Sequence, residues 1–321
     1  MTNILPYKRA HEILEDDGQE AEWLVEGLWG DAAVGIVGGE PKNKKSFFAL
    51  DVAVSVASGQ PCLGRFAVKR GRVLLYAAED PQKIVRKRLR GIAAARGVRL
   101  EDCDIDVITV ERLRLDQKED LHSLDLTIES LKPRLLILDP FVRLHRIDEN
   151  SSAEVSGILD NLRVIQKRYG TAIMVVHHAK KNGGKTRGGQ ALRGSSEFHA
   201  WLDSMVYIRR GVKDQLILSV EHRAAAPIEP VYVELKADGD KLALAIVEPA
   251  AQGATSESEP SASPAERIVR LLGEHGAPVT LATLREATGV RTATFCQELK
   301  GLIDAGRVTK LTGGLYTLRR L

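Results

Sequence analysis

The chain has 321 residues, 44% hydrophobic and only 5% aromatic, which gives room for one full α/β domain and a small appendage with mainly aliphatic packing. Its apolar runs fall far short of the roughly 20 residues a membrane-spanning helix needs, and the charged opening "MTNILPYKRAHEILEDDGQE" has no signal-peptide core. The net charge of +3 is uneven: from Ser263 onward nine Lys/Arg face five Asp/Glu, an excess that suits a polyanion partner.

Cys62, Cys103 and Cys296 are odd in number and lack metal-ligand spacing, so reduced thiols in a cytoplasmic protein are expected. In chain order, a lead-in (1–30) has a helical look in its first part and ends in "EWLVEGLWG". An α/β domain over 31–247 then alternates strands with helices. The expected strands are "AVGIVG" (33–38), "RVLLYA" (72–77), "DVITV" (106–110), "RLLILD" (134–139) and "AIMVVH" (172–177). The helical segments between them cover 46–59, 84–97, 122–132 and 153–170. Continuous apolar strands separated by helices imply a mostly parallel sheet covered on both faces. "SMVYIRR", "QLILSVEHR", "VYVEL" and "LALAIV" follow too closely for intervening helices and predict an antiparallel extension. The stretch 248–263, rich in Ala, Ser, Pro and Glu, reads as a linker before a small domain at 264–321.

"GGEPKNKKS" (38–46) lies between a predicted strand and helix. Gly39 is followed by four free positions, Glu40, Pro41, Lys42 and Asn43, then by Lys44 where a phosphate loop has its second glycine, and by Lys45, Ser46 and Phe47. Backbone N–H groups of such a loop and the helix start make an anion site. Lys45 would reach the terminal phosphates of ATP, and Ser46 would hold Mg²⁺. Without an anion, Lys42, Lys44 and Lys45 would crowd the positive end of the helix dipole. Two carboxylates end strands: Asp139 in "LLILDP", placed to hold Mg²⁺, and Glu79 in "VLLYAAEDP", placed to take a proton from the attacking water. In doubly wound sheets ligands sit at that edge.

Taken together in this order, "GEPKNKKS", "YAAEDP", "LILDP", "VVHHAKK" and "LRGSSEF" resemble the RepA-like branch of the RecA-fold ATPases. These are hexameric replicative helicases and AAA-family ATPases of mobile elements. The resemblance covers roughly 20–247 and implies an α/β, RecA-like P-loop NTPase. It implies that Lys45 and Ser46 bind phosphate and Mg²⁺, that Asp139 is the Walker B acid and that Glu79 is the catalytic base. It implies a γ-phosphate sensor at His178, beside His177, and Trp23 and Trp29 packed on the core. "LSVEHRAAAP" aligns Arg223 with an arginine finger, although Glu221 stands where a basic residue is frequent. The glycine-rich loop 178–196, with Lys180, Lys181, Lys185, Arg187 and Arg193, falls where RecA-type proteins contact DNA. Its cations and absence of aromatics before Phe198 favour backbone tracking. The basic face of "PQKIVRKRLRGIAAARG" is read as a solvated helix.

The segment 264–321 resembles a winged helix-turn-helix. A first helix is expected with Ile268, Val269, Leu271 and Leu272 on its apolar face, then helices at 280–289 and 291–306 and a hairpin with Gly313 and Gly314 at its tip. Arg291, Thr292 and Thr294 would open the recognition helix, and Arg307, Lys310, Arg319 and Arg320 favour duplex DNA. The expected function is an ATP-driven DNA motor with Mg²⁺: a homo-oligomeric, hexameric ring on single-stranded DNA, with duplex contacts through the winged helix. The alternative is an ATP-switched DNA-binding regulator or helicase loader without unwinding activity.

Overall fold

A computed structural model of the protein describes Arg9 and residues 22–149, 151–178, 197–212, 214–250, 264–275, 278–281, 283–284, 292–311 and 314–318. They form two compact units, divided between Ala250 and Ala251.

In the first unit, β1 (Trp23–Val25) and β2 (Trp29–Gly30) make an antiparallel ribbon, turned at Gly27 with φ 65°. The segment expected to be helical before it lies outside the described residues, apart from Arg9. Trp29 is buried in the core, while Trp23 meets the His222 ring edge-on at 4.8 Å.

The main sheet is built from β3 (Val34–Gly39), β4 (Val73–Ala77), β5 (Ile105–Val107), β6 (Leu135–Asp139), β7 (Ala172–His178), β8 (Ser204–Arg210), β9 (Leu216–His222), β10 (Val231–Asp238) and β11 (Lys241–Ile246). Its order is β11-β10-β9-β8-β3-β7-β6-β4-β5. From β8 to β5 all neighbours are parallel, so "SMVYIRR", expected in the antiparallel extension, joins β3 in parallel, while β9 to β11 continue antiparallel as the spacing of their runs predicts. β5 ends at Val107, shorter than "DVITV", and is the half-buried edge strand of the sheet.

Alternation along each strand builds two cores. Leu135, Ile137, Met174 and Val176 face α1 (Lys45–Ser58) and α2 (Gln82–Ala95). Leu136, Leu138, Ile173 and Val175 face α3 (Lys118–Leu131) and α4 (Ser152–Tyr169). That is why both faces of a strand such as "LLILD" read as apolar. α3 begins four residues before its expected start, with Glu119 and Asp120 in the first turn, where the helix dipole favours them. A short α5 (Glu197–Trp201) precedes β8.

The expected linker starts later than its composition suggests. Gln215 donates to the Glu248 carbonyl at 3.0 Å and accepts from Ala250 N–H at 2.9 Å, so 248–250 are pinned to the first unit.

The second unit contains α6 (Pro264–His275), β12 (Val279–Thr280), α7 (Thr292–Asp304), β13 (Val308–Lys310) and β14 (Leu315–Leu318). The strands form a sheet of order β12-β14-β13. Ile268, Leu272, Leu284, Phe295, Leu299, Leu302 and Tyr316 share its own core. Most of the helix expected at 280–289, together with Arg291, Gly313, Arg319 and Arg320, lies outside the described residues. Thr292 and Thr294 open α7, and Lys310 is exposed on β13.

Candidate active site

Strand register decides what meets at the carboxyl edge of the sheet. Gly39 pairs with His178 on one side and with Ile208 on the other, and Ala77 pairs with Asp139. The ends of β3, β4, β6, β7 and β8 therefore open at one edge. There a cleft of about 810 Å³ is lined by Lys42, Lys44, Lys45, Ser46, Glu79, Asp139 and His178, among others. A volume of that order suits a nucleotide-sized ligand.

Phosphate-loop geometry follows from the crowding at β8. A Cβ on Gly39, whose φ is 152°, would lie 2.3 Å from the Ile208 carbonyl oxygen, so only glycine lets the two strands approach this closely. Asn43 is buried and donates to the same Ile208 carbonyl at 3.2 Å. Glu40 and Pro41 complete the bend between them. Lys44 is the N-cap of α1 in the left-handed region, φ 58° and ψ 25°, and makes no side-chain cap. Lys42 is also left-handed, at φ 68°. A backbone shape that glycine usually supplies is thus held by lysines, each at a cost of about 1 kcal/mol or more. Both side chains remain exposed beside the cleft.

Lys45 is 5% exposed, and its Nζ donates to the Glu40 carbonyl at 2.9 Å. Burial pulls its pKa down to about 8, against the opposing pull of Asp139, Glu79 and Glu40. Asp139 is pushed up to about 6, mainly by burial, while a hydrogen bond from Ser46 works the other way. A buried ammonium and a buried carboxylate flanking a hydroxyl match the donor set for phosphate and a hard divalent cation. Phe47 packs into the core, with the Arg88 guanidinium 5.1 Å from its ring centre and Lys44 Nζ at 6.0 Å.

Glu79 is exposed at the cleft, where Arg143 Nε donates to its Oε1 at 2.9 Å. His178 ends β7 on the cleft wall. Its neighbour His177 points the other way, buried and stacked on Phe198 at 4.6 Å between ring centres.

Arg223 lies elsewhere. β9 runs antiparallel to β8, pairing His222 with Ser204, so Arg223 emerges at the amino edge, opposite its own phosphate loop. It ion-pairs with Asp203 at 3.7 Å and donates to the Ala200 carbonyl. Arg163 also engages Asp203, with bonds of 2.5 and 3.1 Å. Lys180, Lys181, Lys185, Arg187 and Arg193 lie outside the described residues.

The AAA domain family AAA_25 matches residues 7–184, more than half of the sequence. The chain belongs to that family. The matched part of this AAA domain holds the phosphate loop, Glu79, Asp139 and His178. Among solved structures, it is similar to a DnaB-like replicative helicase described with its interactions with primase. That similarity has 13% identity and a TM-score of 0.53, over 66% of this chain and 57% of the helicase chain. It is also similar to the RadB recombinase, with 15% identity and a TM-score of 0.50 over 68% of this chain and 92% of the recombinase. At such identities the likeness is one of fold, and the fold is RecA-like. The AAA domain chain spans less than two thirds of the helicase's length.

Several cleft residues escape a reading by motif. Arg210 ends β8 and donates to Asn43 Oδ1 at 3.3 Å, Arg88 ion-pairs with Asp80, and Leu235 joins the wall from β10. The Arg210 position carries a local signal, as the last residue of an apolar strand, but the pairing of that strand with β3 does not show in the sequence.

Proposed function

We propose that this protein is an ATP-hydrolysing DNA motor of the RepA-like replicative helicase type, acting as a homo-oligomeric, hexameric ring on single-stranded DNA. The observation that carries the reading is the convergence of Lys45, Ser46, Asp139, Glu79 and His178 on one cleft. The loop N–H groups and Lys45 bind the terminal phosphates, and Ser46 and Asp139 hold Mg²⁺. Mg²⁺, when bound, neutralises charge on the phosphate oxygens. Glu79 accepts the proton of the attacking water, and His178 contacts the γ-phosphate end. The cleft wall also carries Leu216, Leu235, Arg88 and Arg210, an apolar and cationic surface for a nucleotide.

The position of Arg223 at the far edge of its own sheet suits a finger that serves a neighbouring subunit. Arg223→Ala should then lower turnover by roughly 10³-fold or more with nucleotide affinity retained. Lys180, Lys181, Lys185, Arg187 and Arg193 would track the strand backbone inside the ring. The segment 264–321, as a winged helix, would hold duplex DNA through Arg291, Thr292, Thr294 and Lys310. The deciding experiment is phosphate release with and without single-stranded DNA, in the native chain and in Glu79→Gln. DNA-stimulated release that Glu79→Gln abolishes supports the motor.

The second reading, an ATP-switched regulator or loader, draws on the left-handed Lys44 in the phosphate loop. Tight ATP binding without turnover would favour it. A forked-duplex assay separates a helicase from a translocase that does not unwind.

A further inference from the structure

The carboxylate placed to activate water is engaged. Glu79 Oε1 accepts from Arg143 Nε at 2.9 Å, across 64 residues of sequence, and both side chains are solvent-accessible, at 45% and 60%.

The backbone that carries Arg143 is rigidly built. A single 3-10 turn, Phe141–Arg143, follows Asp139 and Pro140 directly. Phe141 is fully buried, with its ring edge-on to His177 at 5.7 Å and to Phe198 at 5.3 Å. Arg114 donates to the carbonyls of Arg143 and His145 at 2.9 and 2.7 Å, and Leu115 N–H donates to Leu144 at 2.7 Å. The main chain at residue 143 is therefore clamped, and its guanidinium end is exposed to water. Arg112 and Arg146, on the same two segments, are exposed as well.

A guanidinium on one carboxylate oxygen removes a lone pair that a general base needs, and it holds the group in the wrong hydrogen bond. A phosphodiester oxygen offers that guanidinium the same charge-assisted bond, often bidentate. We propose that Arg143 is a positioning residue that parks Glu79 until the phosphate backbone of single-stranded nucleic acid takes over the guanidinium. Released, Glu79 turns to the water. Exposed ion pairs are weak, so the restraint is small and easily reversed: about fivefold in rate at most. The inference rests on the ATPase reading and names the residue that would couple that site to DNA.

The test uses the full-length chain, with oligothymidylate as the probe. Arg143→Gln should raise phosphate release without DNA by about two- to fivefold. Its KM for ATP should stay unchanged, and most of the stimulation by oligothymidylate should disappear. Arg143→Lys, which keeps the charge but not the fork, should restore part of the stimulation. Basal release at or below the native level in Arg143→Gln, with stimulation intact and an unchanged melting midpoint, overturns the proposal. A parallel Glu79→Gln chain separates the two ideas. If the native chain hydrolyses ATP and Glu79→Gln does not, a negative Arg143 result removes only the parking role. If the native chain releases no phosphate at all, the ATPase reading falls and takes the parking role with it.

Discussion

Lys44 shows how far a binding loop can bend local rules. Its left-handed backbone would be relaxed by glycine, which has no Cβ to clash. Lys44→Gly should therefore raise the unfolding free energy by about 0.5–1 kcal/mol, seen as a melting midpoint a few degrees higher. Lys44→Val, β-branched, should lower it by about 1–2 kcal/mol. If glycine gives no gain, the contact of Lys44 with the Phe47 ring outweighs the strain. Asp139 adds a second conflict, because burial holds its pKa near 6, above its ordinary 3.8. A raised carboxyl pKa means that the folded state binds the extra proton between those values. Its favourable contribution is complete below about 3.8 and is lost as pH rises through about 6. Asp139→Asn should accordingly melt higher than the native chain at pH 8 and lose that advantage at pH 4.5. The same titration sets the sign for the cation. Mg²⁺-dependent nucleotide affinity should weaken as pH falls through about 6, when the proton takes the carboxylate, and calorimetry at several pH values checks this.

Among the elements, β3 is the most constrained. A Cβ on Gly35 would lie 1.8 Å from the Ser204 carbonyl oxygen and 2.9 Å from the Trp29 ring. Backbone cannot yield as a side-chain tip does, so Gly35→Ala should force β3 and β8 apart. A loss of about 3 kcal/mol or more is expected, read from denaturant midpoints or from failure to recover soluble protein. The strands themselves were legible because runs such as "LLILD" and "IMVV" are apolar on both faces, and their parallel arrangement follows from the intervening helices. The carboxyl-edge candidates, Lys45, Ser46, Glu79, Asp139 and His178, were readable because each ends or follows a strand. The contacts of Arg143 and Arg210 were not. They depend on which strands lie side by side, β6 beside β4 and β8 beside β3, and periodicity carries no pairing information. The ribbon at Trp23–Gly30 was equally hidden, since five apolar residues around Gly27 fit either a short helix or a hairpin.

For the whole molecule, the division at Ala250 separates the two cores of the first unit from the core of the second, with no residue in common. A chain ending at Ala250 keeps the pinning bonds to Gln215 and the entire cleft. It should fold and show native basal phosphate release, while its affinity for duplex DNA falls at least about tenfold if 264–321 reads the duplex. A filter-binding titration at two salt concentrations compares the two chains. Loss of hydrolysis on truncation would mean that the second unit takes part in assembly of the active oligomer.

The depressed basicity of Lys45 carries over into chemical labelling. With a pKa of about 8, roughly half of these amines are uncharged at pH 8, whereas an ordinary lysine remains almost fully ammonium. A small acylating reagent that enters the cleft should modify this side chain ahead of the others. Peptide mapping, which separates Lys45 from the α-amino group of similar pKa, would register an adduct that ATP suppresses, giving an occupancy assay that needs neither turnover nor DNA.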